Sequence, residues 1–156
     1  MWRNASAFVA VFIIFAITLT LSPDAVWADI GQIKTLKGDV RIVRAERTMP
    51  ARAGDSLEQA DTLITGTNGS VGMTFIDGTR FSTGPDSVLE LSRFRFDPTT
   101  HEGDFQASVK KGTLAIISGQ IAKASPTAMT VRTPASILGV RGTRFLIKVG
   151  DEDQAQ

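Results

Sequence analysis

The sequence predicts an all-β fold: short antiparallel strands and hairpins in a single compact sandwich- or roll-like domain, behind an N-terminal signal helix. Three observations carry this. From Asp29 onward apolar residues recur with period two, the spacing that sends alternate side chains of a strand to opposite faces. Turn dipeptides separate these segments at roughly ten-residue intervals, as in sandwiches, barrels and rolls. Helical patterning is confined to Ser56–Ala60 and Gly119–Ala124, both too short for an α/β architecture.

The elements follow in order. Arg3 and the amino terminus precede an apolar run from Ala5 to Leu21, which Pro23 ends, and Val26-Trp27-Ala28 offers small residues for cleavage before Asp29. These are the parts of a secretory signal peptide, residues 1–28, cleaved after Ala28. The competing reading is an uncleaved anchor, because a run of roughly 17 apolar residues is near the lower limit for spanning a bilayer. Both readings make the remainder periplasmic or secreted, with membrane contact only through the N-terminal segment if it is kept. Residues 29–37 lead in, the β-domain occupies 38–149, and an acidic tail occupies 150–156.

Within the domain, Val40 and Ile42 share one strand face, as do Val71, Met73 and Phe75, then Met129 and Val131, then Phe145, Ile147 and Val149. In Val88–Phe96 the apolar phase slips from Leu89 and Leu91 to Phe94 and Phe96, which predicts a β-bulge near Ser92 and Arg93. Asn68-Gly69 and Asp77-Gly78 are the dipeptides suited to type I′ hairpin turns. Gly84-Pro85-Asp86, Asp97-Pro98, Gly103-Asp104 and Lys111-Gly112 punctuate the rest.

Composition removes several function classes. The 156 residues suffice for one domain, and 42% apolar with 21% charged residues describes a globular core. A net charge of +1 supplies no global field for nucleic acid. The absence of cysteine excludes disulfides, zinc-thiolate sites and thiol nucleophiles. One histidine and no tyrosine leave little acid–base equipment near neutral pH. Ser108 and Lys111 match a serine–lysine element, but the segment alternates like a strand and its companion motifs are missing. His101 falls in a polar loop. Asp39, Asp55, Asp61, Asp77 and Asp86 mostly sit beside glycine or in turns, where aspartate bonds its own backbone, and no calcium-loop spacing occurs. Asp77, Asp86 and Glu90 are the carboxylates available to a glycosidase, whose pair separation a sequence does not show. No catalytic residue, cofactor or metal is expected, and the chain is read as a non-enzyme.

The stretch Ser136–Val149, SILGVRGTRFLIKV, poses the sharpest question, since two glycines flank Arg141 and Arg144 follows. A phosphate loop needs a helix after its glycines, whereas a strand follows here. The stretch reads as a bend between strands, with Gly139 and Gly142 allowing close approach or positive φ. Arg144 points away from the core, and Arg141, Arg132 and Arg80 are expected to join it in a basic patch for partner contact. The tetrapeptide Gly-Thr-Arg-Phe occurs at both Gly78–Phe81 and Gly142–Phe145, which suggests one turn-then-strand device used twice.

Taken together, Gly54-Asp55, Thr65, Gly69-Ser70, Asp77-Gly78, Gly112, Thr133-Pro134 and the closing Arg141, Gly142, Thr143 and Phe145 resemble the FecR domain of bacterial envelope proteins. The resemblance spans Gly38 to Val149, and the order and spacing of the motifs carry it. It implies an all-β extracytoplasmic domain without catalytic residues, in which these motif positions are structural. It also implies a partner that is a protein or an envelope component. In the best-known members the domain belongs to an inner-membrane regulator linking a TonB-dependent transporter to a sigma factor. The resemblance therefore offers, as the alternative role, an accessory regulator in iron-uptake cell-surface signalling. The short segment before the apolar run leaves no room for the cytoplasmic part of such a regulator.

Overall fold

The computed structural model describes residues 28–141 and 144–150. These form twelve strands and one short helix, α1 (Gln120–Ala124). Residues 1–27 of the expected signal peptide 1–28, Gly142, Thr143 and residues 151–156 of the expected tail lie outside the described residues. Among the described residues, no helix is long and apolar enough to cross a membrane.

One long strand organises the rest. β9 (Gly103–Ile117) runs for 15 residues. Its first half pairs β8 (Val88–Phe96) on one edge and β10 (Met129–Arg132) on the other. Its second half pairs β7 (Arg80–Thr83) and β12 (Arg144–Val149). Beyond β8 follow β5 (Thr62–Thr65), β2 (Val40–Arg44) and β3 (Arg47–Pro50). Beyond β7 follow β6 (Ser70–Phe75), β1 (Gly31–Lys37) and β4 (Ser56–Leu57). β11 (Ile137–Gly139) hangs on the outer edge of β10. The pairing is antiparallel except between β9 and β10, as expected of short antiparallel strands, and the sheet curls into a half-barrel rather than forming two separate packed sheets.

Within β9, Gly112 has a φ of +90°, and an added Cβ there would lie 2.1 Å from Ser87 Oγ. Lys111-Gly112 is therefore not a break between strands. It is a corner inside β9, because only glycine combines this φ with so close a neighbour. Residues 29–37, expected only to lead in, supply β1, which lies between β4 and β6 and buries Ile33 completely. The alternation was too broken by Lys34 and Thr35 to read, and a register shift occurs at that point. The expected bulge in β8 is present, as a register shift between Glu90 and Arg93 that returns Phe94 to the core.

Four phenylalanines fill the curl. Phe105 packs against Phe75, Phe81 and Phe94 with ring centroids 4.7, 5.1 and 4.9 Å apart. Burying rings at these separations adds aromatic pairing to the apolar area removed from water. Phe105 sits in the first half of β9 and Phe81 beside its second half, so this contact holds the curl closed.

The turns differ from expectation. Type I′ needs positive φ at both central residues, and neither Asn68 nor Asp77 has it. At Asn68-Gly69 the turn is Gly66–Gly69, closed by Gly69 N–H donating to Gly66 O at 2.9 Å. Asn68 instead accepts from Asp39 N–H at 3.2 Å, tying this turn to the one before β2. At Asp77-Gly78 a three-residue loop places only Gly78 at positive φ, +82°. Gly78 N–H donates to Phe75 O there, and Phe75 N–H to Thr79 O. The two-residue loop with both φ values positive is Ala45-Glu46, at 46° and 64°. No sequence signal marks it, because neither residue favours the left-handed region. Replacing Ala45 with Asn and Glu46 with Gly is expected to stabilise the protein by about 1 kcal/mol. An upward shift of the urea midpoint would show it.

Candidate functional site

Two open strand edges meet on one side of the curl. Among the described residues, β11 pairs only with β10, and β12 pairs only with β9. Among the described residues the exposed large hydrophobic side chains are Ile76, Ile137, Leu138 and Leu146, and the last three belong to these two edges. Leu146 is 76% exposed and Ile137 63%. A cavity of about 430 Å³ separates the edges, lined by Thr133, Pro134, Ser136 and Leu138 on one side and Ile147, Lys148 and Val149 on the other. Apolar side chains concentrated at unpaired edges are a feature that soluble β proteins ordinarily avoid.

Register places the arginines. Arg80 of β7 and Arg144 of β12 both lie opposite Ile117 of β9, so the three form one row on the outer face. In the next row Phe81 and Phe145 flank Ile116 and face the core. The Arg-Phe steps of the two Gly-Thr-Arg-Phe tetrapeptides thus occupy equivalent places on either side of one strand. Arg132 does not join the Arg80–Arg144 row. It lies opposite Ser108 in the other half of β9 and beside Ile137 of β11. Arg141 is exposed on the segment that leaves β11. Gly139 is neither at positive φ nor crowded, so its expected role in the bend is not what places these arginines. Gly142 is outside the described residues.

None of the ion pairs among the described residues involves Arg80, Arg132, Arg141, Arg144 or Lys148. The outer faces of β7, β12 and the second half of β9 carry no carboxylate. The row beside Arg80 and Arg144 consists of Ser82, Ala115 and Leu146. A shallow groove of about 270 Å³ continues from there across Gly72 to Lys34 and Thr35. The result is a small-residue surface edged by positive charge and ending at β12, whose second edge has no neighbouring strand among the described residues.

The motif residues prove to be joints that hold this surface. Asp77 is buried and accepts from Thr79 N–H at 2.9 Å and from Thr79 Oγ1–H at 2.7 Å. Thr79 Oγ1 in turn accepts from Gly119 N–H at 3.0 Å, and Asp77 O from Gln120 N–H at 2.8 Å, so the β6–β7 loop is pinned under α1. Thr65 Oγ1 donates to Gly84 O at 2.7 Å and accepts from Ser87 N–H at 2.9 Å. Thr133 and Pro134 make the β10–β11 turn, where Thr133 N–H donates to Ser136 O at 2.8 Å and Ser136 N–H to Thr133 Oγ1 at 3.1 Å. Asp97 caps the β8–β9 loop: N–H donation from Thr99 and then Thr100 holds its carboxyl below the usual range.

Sequence reasoning missed Lys148 and the exposed hydrophobics of the seam. Leu146 had a readable signal, since it falls on the polar phase of a strand whose other phase is Phe145, Ile147 and Val149. Ile137 and Leu138 had none, because a three-residue edge strand shows no period.

Among known proteins, the family model described as FecR protein matches residues 61–156. A solved structure described as "Cell surface anchoring domain" is similar at 34% identity, covering 40% of this chain and 84% of that one, with a TM-score of 0.39. No curated protein matches. The matched range begins within the Asp61–Thr65 segment and takes in every joint just described from Thr65 to Thr133, together with both Gly-Thr-Arg-Phe tetrapeptides: the chain belongs to the FecR protein family.

Proposed function

We propose that the protein is an exported, non-enzymatic binding domain of the bacterial envelope, periplasmic or secreted, which holds a protein or envelope component on the side where β11 and β12 lie open. The single observation that carries this is the seam itself: among the described residues, three exposed large hydrophobics and cations without ion-pair partners surround two strand edges without a neighbour. Export rests on the N-terminal sequence. The non-enzymatic reading is supported by how the carboxylates are used. Asp77 is engaged with Thr79, and Glu90 pairs with Lys110 at 2.9 Å. His101 stacks on Phe96.

The test compares capture from an envelope extract by the wild type and by Arg144→Glu/Leu146→Asp. The double variant is expected to lose capture by about tenfold or more, the equivalent of roughly 1.4 kcal/mol. Arg93→Ala, which removes an ion pair with Asp104 away from the seam, should capture normally. Unchanged thermal unfolding of both variants would separate loss of contact from loss of fold. Equal capture by all three proteins would refute the assignment, as would hydrolysis of an envelope polymer by the purified chain.

A further inference from the structure

We propose that the free edge of β12 receives, by strand addition, an extended acidic segment of another protein. This rests on the binding role above and specifies what is bound and how. Strand addition supplies affinity through main-chain hydrogen bonds and specificity through alternate side chains. β12 offers both, since among the described residues its second edge, from Arg144 to Val149, has no neighbouring strand.

Register and chemistry define the incoming strand. On the outer face its side chains meet Arg144, Leu146 and Lys148, which calls for acidic, apolar, acidic at alternate positions. On the inner face they meet Phe145, Ile147 and Val149, of which Phe145 and Val149 remain half-exposed at the rim of the core. Two further apolar residues therefore fill the intervening positions. The cavity beside Ile147 and Val149, with Leu138 on its far wall, gives those inner side chains their space. Arg132 and Arg141 extend the positive charge along the β11 side of the same seam.

Charge also argues against a second copy of this chain as the occupant. Antiparallel self-pairing centred on Leu146 would set Arg144 opposite the other copy's Lys148, and like charges directly opposite destabilise a strand pair. An acidic strand converts the same positions into favourable cross-strand pairs.

The experiment uses the peptide Thr-Glu-Val-Leu-Val-Glu-Thr, whose symmetric pattern serves either strand direction, with binding read by fluorescence anisotropy. It is expected to bind the wild-type protein. Replacing both Glu by Lys, or using Arg144→Glu/Lys148→Glu protein, should weaken binding about tenfold or more, as should N-methylation of alternate peptide amides. Hydrogen exchange at β12 amides should slow when the unmodified peptide binds. Equal binding of the N-methylated peptide would overturn strand addition, and equal binding of the lysine peptide would overturn the acidic requirement. Dimerisation through Leu146 would assign the edge to a second copy. Binding seen only after Asp151, Glu152 and Asp153 are neutralised would assign it to the chain's own tail. If no peptide binds while seam-dependent capture from envelope extract persists, strand addition fails and the binding role stands. If both are absent, both fall.

Discussion

Replacing Arg44 with methionine is expected to destabilise the protein by about 3–5 kcal/mol, because it leaves a buried carboxylate without its counter-ion. Asp61 is 0% exposed. The Arg44 guanidinium grips it with both prongs, Nε to Oδ1 and Nη2 to Oδ2, each at 2.7 Å. The same guanidinium donates to Ser56 O at 2.9 Å and pairs with Glu58 at 2.5 Å. Hydrogen bonding to Asp61, ahead of the attraction of Asp61 and Glu58, holds Arg44 more firmly protonated than an ordinary arginine. Without it, Asp61 keeps only the Glu58 N–H, at 2.8 Å, among its side-chain partners. Arg44→Lys should also be harmful, since an ammonium cannot reproduce the two-pronged grip. Asp61→Asn should cost less than Arg44→Met, because the Arg44 side chain is 27% exposed and can turn to water and Glu58. The double variant Arg44→Met/Asp61→Asn should recover more than half the loss by removing the stranded charge. Urea unfolding of the four proteins measures this. A loss below about 1 kcal/mol for Arg44→Met would show that the pair behaves as a surface ion pair.

The second large effect is expected at Phe105, where alanine should cost about 3–5 kcal/mol. Its ring touches three other phenylalanines from β6, β7 and β8. It is fully buried, so truncation removes both the transfer energy and the edge-to-face contacts, and the surrounding sheet can collapse only partly. Against a typical total of about 5–15 kcal/mol, this is a large fraction of the stability. Phe105→Leu should cost less, because it leaves a smaller void. Since Phe105 joins the two halves of β9, its loss should also loosen the relation between the β11 and β12 edges. Hydrogen exchange would then speed up at β12 before global unfolding. Exchange that stays uniform across the sheet would show that the halves do not open separately.

Much of the strand layout was legible. In Val40–Ile42, Val71–Phe75, Met129–Val131 and Phe145–Val149 the apolar phase faces the core as read, and the phase slip in Val88–Phe96 is a real bulge. What failed was local conformation. Asn68-Gly69 and Asp77-Gly78 look like type I′ turns, yet loop length and packing against Asp39 and α1 select other geometries. The I′ turn falls on Ala45-Glu46 because the β2–β3 register leaves two residues to reverse the chain. Likewise Asp77 reads as an ordinary turn aspartate, and only its burial under Gly119 shows that it is a joint between elements.

By itself the sequence determined the fold class, the family and which face of each main strand is buried, because these depend on period-two patterning and on motif order along the chain. Tertiary structure alone decided that Arg80 and Arg144 share a row while Arg132 stands apart, and that β11 and β12 are left open side by side. The reason is that strand neighbours are set by hydrogen-bonding partners far apart in sequence. The Arg-Phe steps of two identical tetrapeptides 64 positions apart become equivalent only when β9 passes between them.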